Sequence, residues 1–278
     1  MDERAIGIWD SGLGGLTVVR AIRARLPGER ILYFGDTARV PYGTKGAETV
    51  RRFARQNSAF LVEKGVKLMV VACNTASAVA LDDLAGRLAV PVVGVIEPGA
   101  RAAAAATASG IVGVIGTPAT IQSGAYAGAL QAARGGLSVE SRACPLFVPL
   151  VEEGWLDHPA TRLVAEEYLA PIRAAGVDTL VLGCTHYPLL APLLGELMGA
   201  GVRLVDSAEE TAGEVARMLE AGGLLAPAGA AGGEEGAAGG LECFVSDLPL
   251  RFRQVGEAFL GRRIESIQLV DFQTKEKV

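Results

Sequence analysis

The chain has 278 residues, of which 50% are hydrophobic and 5% aromatic, and its formal net charge is −5. This length fits one large domain or two ordinary ones, with ample apolar material for a core. No run of Lys or Arg indicates a nucleic-acid surface, the first residues are unlike a signal peptide, and Gly, Pro and Thr interrupt every long apolar stretch. We therefore expect a cytoplasmic protein that binds neither nucleic acid nor membrane.

The first hundred residues alternate between apolar runs typical of buried strands and segments with helical spacing. We predict helices at residues 16–26, 47–63 and 75–88, between strands at residues 5–9, 30–34, 68–72 and 92–96. This order predicts a mainly parallel sheet covered on both faces.

The same order then starts again, with strands at residues 110–115, 179–183 and 202–205 and helices at 118–133, 162–175 and 189–198. Asp10 precedes Cys73 by nearly the span that separates Thr117 from Cys184. This suggests an internal duplication, although any doubly wound protein repeats βα units. The fold class predicted is α/β, with two doubly wound parallel-sheet domains.

The last part of the chain opens on Ser207, which begins a capping-box pattern and a predicted helix to residue 219. A Gly/Ala stretch at 221–240 predicts a mobile surface loop. A strand at 241–245 and a helix at 250–260 follow, and the tail from residue 274 should fray.

Two cysteines, Cys73 and Cys184, each follow a predicted strand and precede a predicted helix. Ligands of open α/β sheets gather beyond such strand ends. A helix N-terminus lowers the pKa of a thiol, which can then exchange protons near neutral pH. The alternative is that both are merely buried small side chains. With Cys144 and Cys243 they lack metal-type spacing, so we expect reduced thiols and no metal site.

Polar side chains crowd the same strand ends and could hold carboxylates without any arginine, or could simply cap helices: Ser11, Asn74, Thr75, Thr117, Thr120 and Thr185. Asp10 and Glu152 could assist a neighbouring thiol, or could be solvated strand-end charges. His186 could be the partner base of Cys184 or a structural histidine, whereas His158 is predicted to lie on the surface. The glycines after Asp10 lack dinucleotide-binding spacing, and no P-loop lysine follows them.

At these residues the sequence resembles bacterial glutamate racemases of the aspartate/glutamate racemase family. The resemblance covers nearly the whole chain, although the Gly/Ala stretch at 221–240 departs from the family's pattern. It is carried by short motifs at residues 10–15, 35–36, 41–43, 73–77, 94–98, 116–117, 152–154, 183–188, 205–207, 246–247 and 259–261. It implies two pseudo-twofold-related α/β domains, residues 1–98 with 208–278 and residues 99–207, and an active site in the cleft between them.

The resemblance also implies cofactor-independent racemisation of glutamate, with Cys73 and Cys184 as bases on opposite faces of the α-carbon. Asp10 is then expected to assist Cys73, and His186 and Glu152 to assist Cys184. The family's substrate contacts fall on a larger set: Asp10, Ser11, Tyr42, Gly43, Asn74, Thr75, Thr117, Thr185 and His186. The product would be D-glutamate for peptidoglycan synthesis, and relatives are often homodimers.

Other assignments remain open from the sequence. Aspartate racemase is the nearest rival, because pocket depth decides between the two side chains. A thiol-based redox or regulatory protein and a non-catalytic binding protein, like relatives that bind DNA gyrase, are alternatives of other classes.

Overall fold

The fold is α/β, with two separate parallel sheets flanked by helices, in a computed structural model that describes residues 2–227 and 239–271. The first sheet has the strand order β10-β9-β2-β1-β3-β4 and the second β6-β5-β7-β8. The strands are β1 Ile6–Asp10, β2 Ile31–Gly35, β3 Leu68–Val71, β4 Val92–Gly94, β5 Ile111–Gly116, β6 Ser138–Ala143, β7 Thr179–Gly183, β8 Arg203–Asp206, β9 Leu241–Val245 and β10 Ile267–Leu269.

Helices connect the strands and cover the sheets. They are α1 Leu16–Arg25, α2 Ala47–Glu63, α3 Asn74–Ala85, α4 Ile96–Ala106, α5 Pro118–Gln122, α6 Ala125–Ala133, α7 Phe147–Glu152, α8 Pro159–Ala174, α9 Ala191–Met198, α10 Ser207–Ala221 and α11 Pro249–Leu260. Short 3₁₀ turns occur at Thr37–Arg39, Tyr42–Thr44 and Tyr187–Leu190. Of the helices in the described ranges, none is long and apolar enough to cross a bilayer.

The central strands are continuous apolar runs because helices cover both faces of each sheet. Every residue of β1, β2, β3 and β7 is buried. Parallel registers join β1 to both β2 and β3, and β5 to both β6 and β7. Strands β3 and β7, whose carboxyl ends precede the two cysteines, are interior strands, since β3 lies between β1 and β4, and β7 between β5 and β8.

The two sheets share a topology, because β2-β1-β3-β4 and β6-β5-β7-β8 have the same order of first, second, third and fourth strand. Cys73 follows the third strand of the first set, and Cys184 follows the third strand of the second. The predicted α/β class with two parallel sheets is confirmed. The exact domain boundaries after residues 98 and 207 stay a prediction.

Several predicted elements differ from the structure. The strand predicted at 92–96 ends at Gly94, and an unpredicted helix, α4, begins at Ile96. The helix predicted at 118–133 is two helices, because Gly124 adopts a left-handed conformation with φ 68° between them. Strands β6 and β10 and helix α7 were not predicted. Most of the predicted loop at 221–240 and the tail from 274 lie outside the described residues, and α10 continues to Ala221.

Candidate active site

A cavity of about 390 Å³ opens where the carboxyl ends of the two sheets face each other. Both predicted thiols line it, Cys73 from the first sheet and Cys184 from the second. Nine further predicted residues line the same cavity: Ser11, Tyr42, Gly43, Asn74, Thr75, Thr117, Glu152, Thr185 and His186. The structure therefore brings together in one cavity residues that are scattered over most of the sequence.

Cys73 is the N-cap residue of α3, since that helix begins at Asn74, and it follows the end of β3 by two residues. It is 5% exposed, and its thiol donates to Ser11 Oγ at 3.6 Å. Burial and the nearby carboxylate of Asp10 raise the pKa of Cys73 to about 12. The expectation that the pKa of this thiol is lowered is therefore wrong, since burial and Asp10 outweigh the backbone N–H group at the helix N-terminus.

Cys184 forms a short chain with two other predicted residues. Its Sγ lies 3.9 Å from His186 Nδ1, and His186 Nε2 lies 2.9 Å from Glu152 Oε1. Burial lowers the pKa of His186, but hydrogen bonds with Cys184 and Glu152 outweigh burial and raise it to about 10. The raised pKa favours the protonated imidazole, which is the cationic partner that a neighbouring thiolate requires.

Asp10 lies behind the cavity wall and does not line it. Its side chain is 1% exposed, and one carboxylate oxygen accepts a hydrogen bond from Gly12 N at 3.1 Å. Burial raises the pKa of Asp10, while the His186 cation and backbone N–H groups of the following turn oppose that shift. In this position Asp10 can affect Cys73 through its charge, while its side chain stays outside the lining of the cavity.

Three threonine hydroxyls meet where the first and second sheets approach. Thr75 Oγ1 lies 2.9 Å from Thr117 Oγ1 and 3.2 Å from Thr120 Oγ1, and the latter two are 2.9 Å apart. Thr117 is also the N-cap of α5, where its side chain accepts a hydrogen bond from Thr120 N. This residue therefore both caps a helix and lines the cavity. Thr120 is buried behind the other two.

The segment after β2 reaches across the cavity. The hydroxyl of Tyr42 donates to buried Asp36 and accepts from Asn57 Nδ2 at 3.2 Å, so its hydrogen bonds are made with other side chains of the protein. Burial raises the pKa of Tyr42 far above its ordinary value. A β-carbon on Gly43 would lie 2.7 Å from Thr117 Cβ, so glycine lets this segment pack directly on the second sheet's loop.

An apolar wall of the cavity was not predicted as part of the site. It consists of Val40, Pro41, Pro118, Pro145, Val148 and Pro149. The available signal in the sequence was a pair of prolines, Pro145 just before α7 and Pro149 within its first turn. His158 is exposed, as predicted. None of the described residues that line the cavity is Lys or Arg, so His186 supplies its cationic side chain.

A sequence profile of the Asp/Glu/Hydantoin racemase family matches residues 16–215. The chain belongs to this family. It is 54% identical over 277 residues to a protein named glutamate racemase from Geobacter metallireducens, with full coverage of both chains. The fold is similar to the glutamate racemase RacE1 of Bacillus anthracis, with a TM-score of 0.91, 40% identity and coverage of 98% and 99%.

A second solved structure is the glutamate racemase of Francisella tularensis, crystallised with D-glutamate. It matches with a TM-score of 0.90 and 37% identity, covering 99% of this chain and 100% of that one. The family predicted from the motifs is confirmed, and the chain is an isomerase of the amino-acid racemase type. The roles of its individual site residues stay predictions.

Proposed function

We propose that this protein interconverts L- and D-glutamate without a cofactor, using Cys73 and Cys184 as two bases. One observation carries this proposal: both thiols line the same cavity, and each follows the corresponding strand of its own sheet. The four cysteines are free thiols, so this pair is not locked in a disulfide.

In the proposed L-to-D reaction, the Cys184 thiolate takes the α-proton and the Cα–H electron pair stays on the α-carbon as a carbanion. The Cys73 thiol then donates its proton to the opposite face, which leaves a Cys73 thiolate and a Cys184 thiol. The D-to-L reaction runs the same steps in reverse, so no atom is gained or lost.

The α-proton of an amino acid is very weakly acidic, and proton transfer by a positioned base contributes only about 10²–10⁴-fold. Electrostatic stabilisation of the carbanion must therefore supply much of the rest. The His186 cation, the N-terminus of α3 and the hydroxyls of Thr75 and Thr117 are suitable donors for the carboxylate oxygens of the substrate. Burial of both thiols keeps water from competing for their protons.

Glutamate is the substrate that we favour over aspartate because full-length relatives at about half identity bear the name glutamate racemase. The Francisella tularensis structure named as a complex with D-glutamate has the same fold over the whole chain. We place the product, D-glutamate, in peptidoglycan synthesis in the cytoplasm. The homodimer and the assignment of Asp10, Glu152 and His186 as assisting groups belong to this proposal.

The test is incubation of the protein with L-glutamate in deuterated water without added cofactor. We expect loss of optical rotation together with deuterium at the α-carbon of D-glutamate, while early unreacted L-glutamate keeps its protium because two different groups move the two protons. Aspartate under the same conditions should react far more slowly. A protein that racemises neither amino acid but whose thiols oxidise readily would support the redox alternative instead.

The two-base scheme has its own variants. Cys73→Ser and Cys184→Ser should each lose racemisation by several orders of magnitude, because a serine hydroxyl is a far weaker acid than a thiol. Cys243→Ala is the matched control, since Cys243 is a buried thiol in β9 that does not line the cavity. Full activity in either serine variant would remove the scheme.

A further inference from the structure

Tyr126 links the two halves of the cavity from behind its wall. It is the second residue of α6, and its side chain is 2% exposed. Its hydroxyl donates to Asn74 Oδ1 at 2.6 Å. Asn74 directly follows Cys73, so this hydrogen bond runs from a helix beside the second sheet to the cysteine loop of the first.

The ring of Tyr126 contacts the other cysteine loop. Gly183 directly precedes Cys184, and a β-carbon there would lie 3.0 Å from Tyr126 Cε2 and 2.7 Å from the carbonyl oxygen of Ile115. The ring therefore packs on bare backbone at the end of β7. One side chain thus contacts the immediate neighbours of both cysteines.

The same hydrogen bond fixes the orientation of the Asn74 amide. With Oδ1 accepting from the Tyr126 hydroxyl, Nδ2 is the amide atom that is left for another partner. Nδ2 is buried with no hydrogen-bond partner within the described residues, while Asn74 lines the cavity. A buried amide donor without a partner suits an acceptor that arrives with a ligand, such as a carboxylate.

The Tyr126 hydroxyl is protonated, as a donor must be. Burial is the larger influence and raises the pKa of Tyr126, which outweighs the opposing influence of Ser207, the first residue of α10. The phenolic proton is therefore available to Asn74 Oδ1.

We propose that Tyr126 is a positioning residue, which orients the Asn74 amide so that Nδ2 donates to a carboxylate of the bound amino acid. This inference rests on the proposed racemase function. Tyr126 itself does not touch the substrate and acts through Asn74. Loss of its hydroxyl should therefore weaken substrate binding more than it slows proton transfer at the two thiols.

The test compares Tyr126→Phe, Asn74→Ala and the double variant in racemisation of both glutamate enantiomers. Tyr126→Phe keeps the ring on Gly183, and we expect KM to rise about tenfold while kcat changes less than about threefold. In the Asn74→Ala background the same substitution should change KM less than twofold, because coupled residues are not additive. Tyr168→Phe, which removes a hydroxyl that accepts from Leu146 N at 3.4 Å, is the control.

An unchanged KM in Tyr126→Phe, or a tenfold rise that persists without the Asn74 amide, would overturn the proposal. A wild-type protein that does not racemise glutamate would instead remove the proposed function, so the two failures are distinguishable. Melting curves check that each variant is folded. Should Tyr126→Phe melt below the assay temperature, the comparison is made at a lower temperature where the variant is folded, and the KM rise must likewise disappear in the Asn74→Ala background.

Discussion

Buried His186 and partly buried Glu152 form an ion pair, with Nε2 of the imidazole 2.9 Å from Oε1 of the carboxylate. The other ring nitrogen, Nδ1, faces the thiol of Cys184 at 3.9 Å. Glu152 is thus one of two partners that raise the pKa of His186 to about 10 despite its burial. The charge on His186 therefore depends on a carboxylate from α7, and in the proposed mechanism this charge stabilises the thiolate of Cys184.

Glu152→Gln should move the alkaline limb of L-glutamate turnover to lower pH. Removing the negative charge lowers the pKa of His186, by roughly one unit or more for an opposite charge at this distance. His186 then loses its proton earlier as pH rises, and the Cys184 thiolate loses its cationic partner. The measurement is kcat/KM for L-glutamate between pH 6 and 10.

The neighbouring carboxylate offers a matched control for that experiment. Glu153 pairs with Arg251 at 2.9 Å on the surface, so Glu153→Gln should leave the pH profile unchanged. Identical profiles for wild type and Glu152→Gln would mean that Glu152 does not set the charge of His186.

Gly14→Ala should severely reduce activity. A β-carbon at this position would fall 2.3 Å from Thr185 Oγ1 and 2.5 Å from His186 Nδ1, so both side chains must shift. A displacement of about 1 Å in a catalytic arrangement can lower the rate 10²-fold, and we expect at least that loss in kcat/KM. Gly28→Ala, where nothing lies within 4 Å, is the control. Retained activity would show that the loop after β1 adjusts freely.

Lys67→Met should destabilise the fold strongly. Lys67 Nζ lies 2.6 Å from Glu29 Oε2, with both side chains almost fully buried, and also donates to the carbonyl oxygens of Asp2 and Leu224. Removing the cation leaves a buried carboxylate without its partner, a loss of about 3–5 kcal/mol. Urea unfolding measures this free energy.

An exposed pair provides the comparison for Lys67. Arg162 and Glu196 are 2.7 Å apart on the surface, and Arg162→Met should lower the free energy of unfolding by no more than about 1 kcal/mol. Equal losses in the two variants would contradict the argument from burial.

The strand ends that carry the site were predictable because parallel strands covered on both faces are long apolar runs. The runs before Cys73 and Cys184 are fully buried, as that pattern requires. Strand β6 gave no such signal, because it is an edge strand whose residues are all exposed or half-buried. Helix α4 was missed because its first residue, Ile96, continues the apolar run of β4.

The sequence predicted which residues line the cavity better than it predicted which partners their side chains contact. Tyr42 lines the cavity, yet its hydroxyl donates a hydrogen bond to Asp36. Asp10 lies close enough to Cys73 to raise its pKa but does not line the cavity. Neither fact can be read from spacing, because each depends on contacts between distant segments. The direction predicted for the pKa of Cys73 was also wrong, because the burial of this thiol is a property of the assembled fold.

Asp10→Asn should make Cys73 more reactive and at the same time a weaker base. Asp10 is the second influence, after burial, that raises the pKa of Cys73 to about 12. Without this carboxylate the pKa falls, and a fall of about one unit gives roughly tenfold more thiolate at pH 9. Alkylation of Cys73 by iodoacetamide, followed by mass spectrometry with unliganded protein, should therefore accelerate, with the Cys243 peptide as an internal reference.

Turnover of D-glutamate by the same variant should fall, because a thiolate of lower pKa is a poorer acceptor for a weakly acidic α-proton. Faster alkylation combined with slower turnover is the signature of a carboxylate that raises the proton affinity of Cys73. Slower alkylation would mean that Asp10 instead withdraws the proton from the thiol. Unchanged alkylation and turnover would remove Asp10 from the chemistry and leave it a structural role in the turn after β1, where it accepts from Gly12 N.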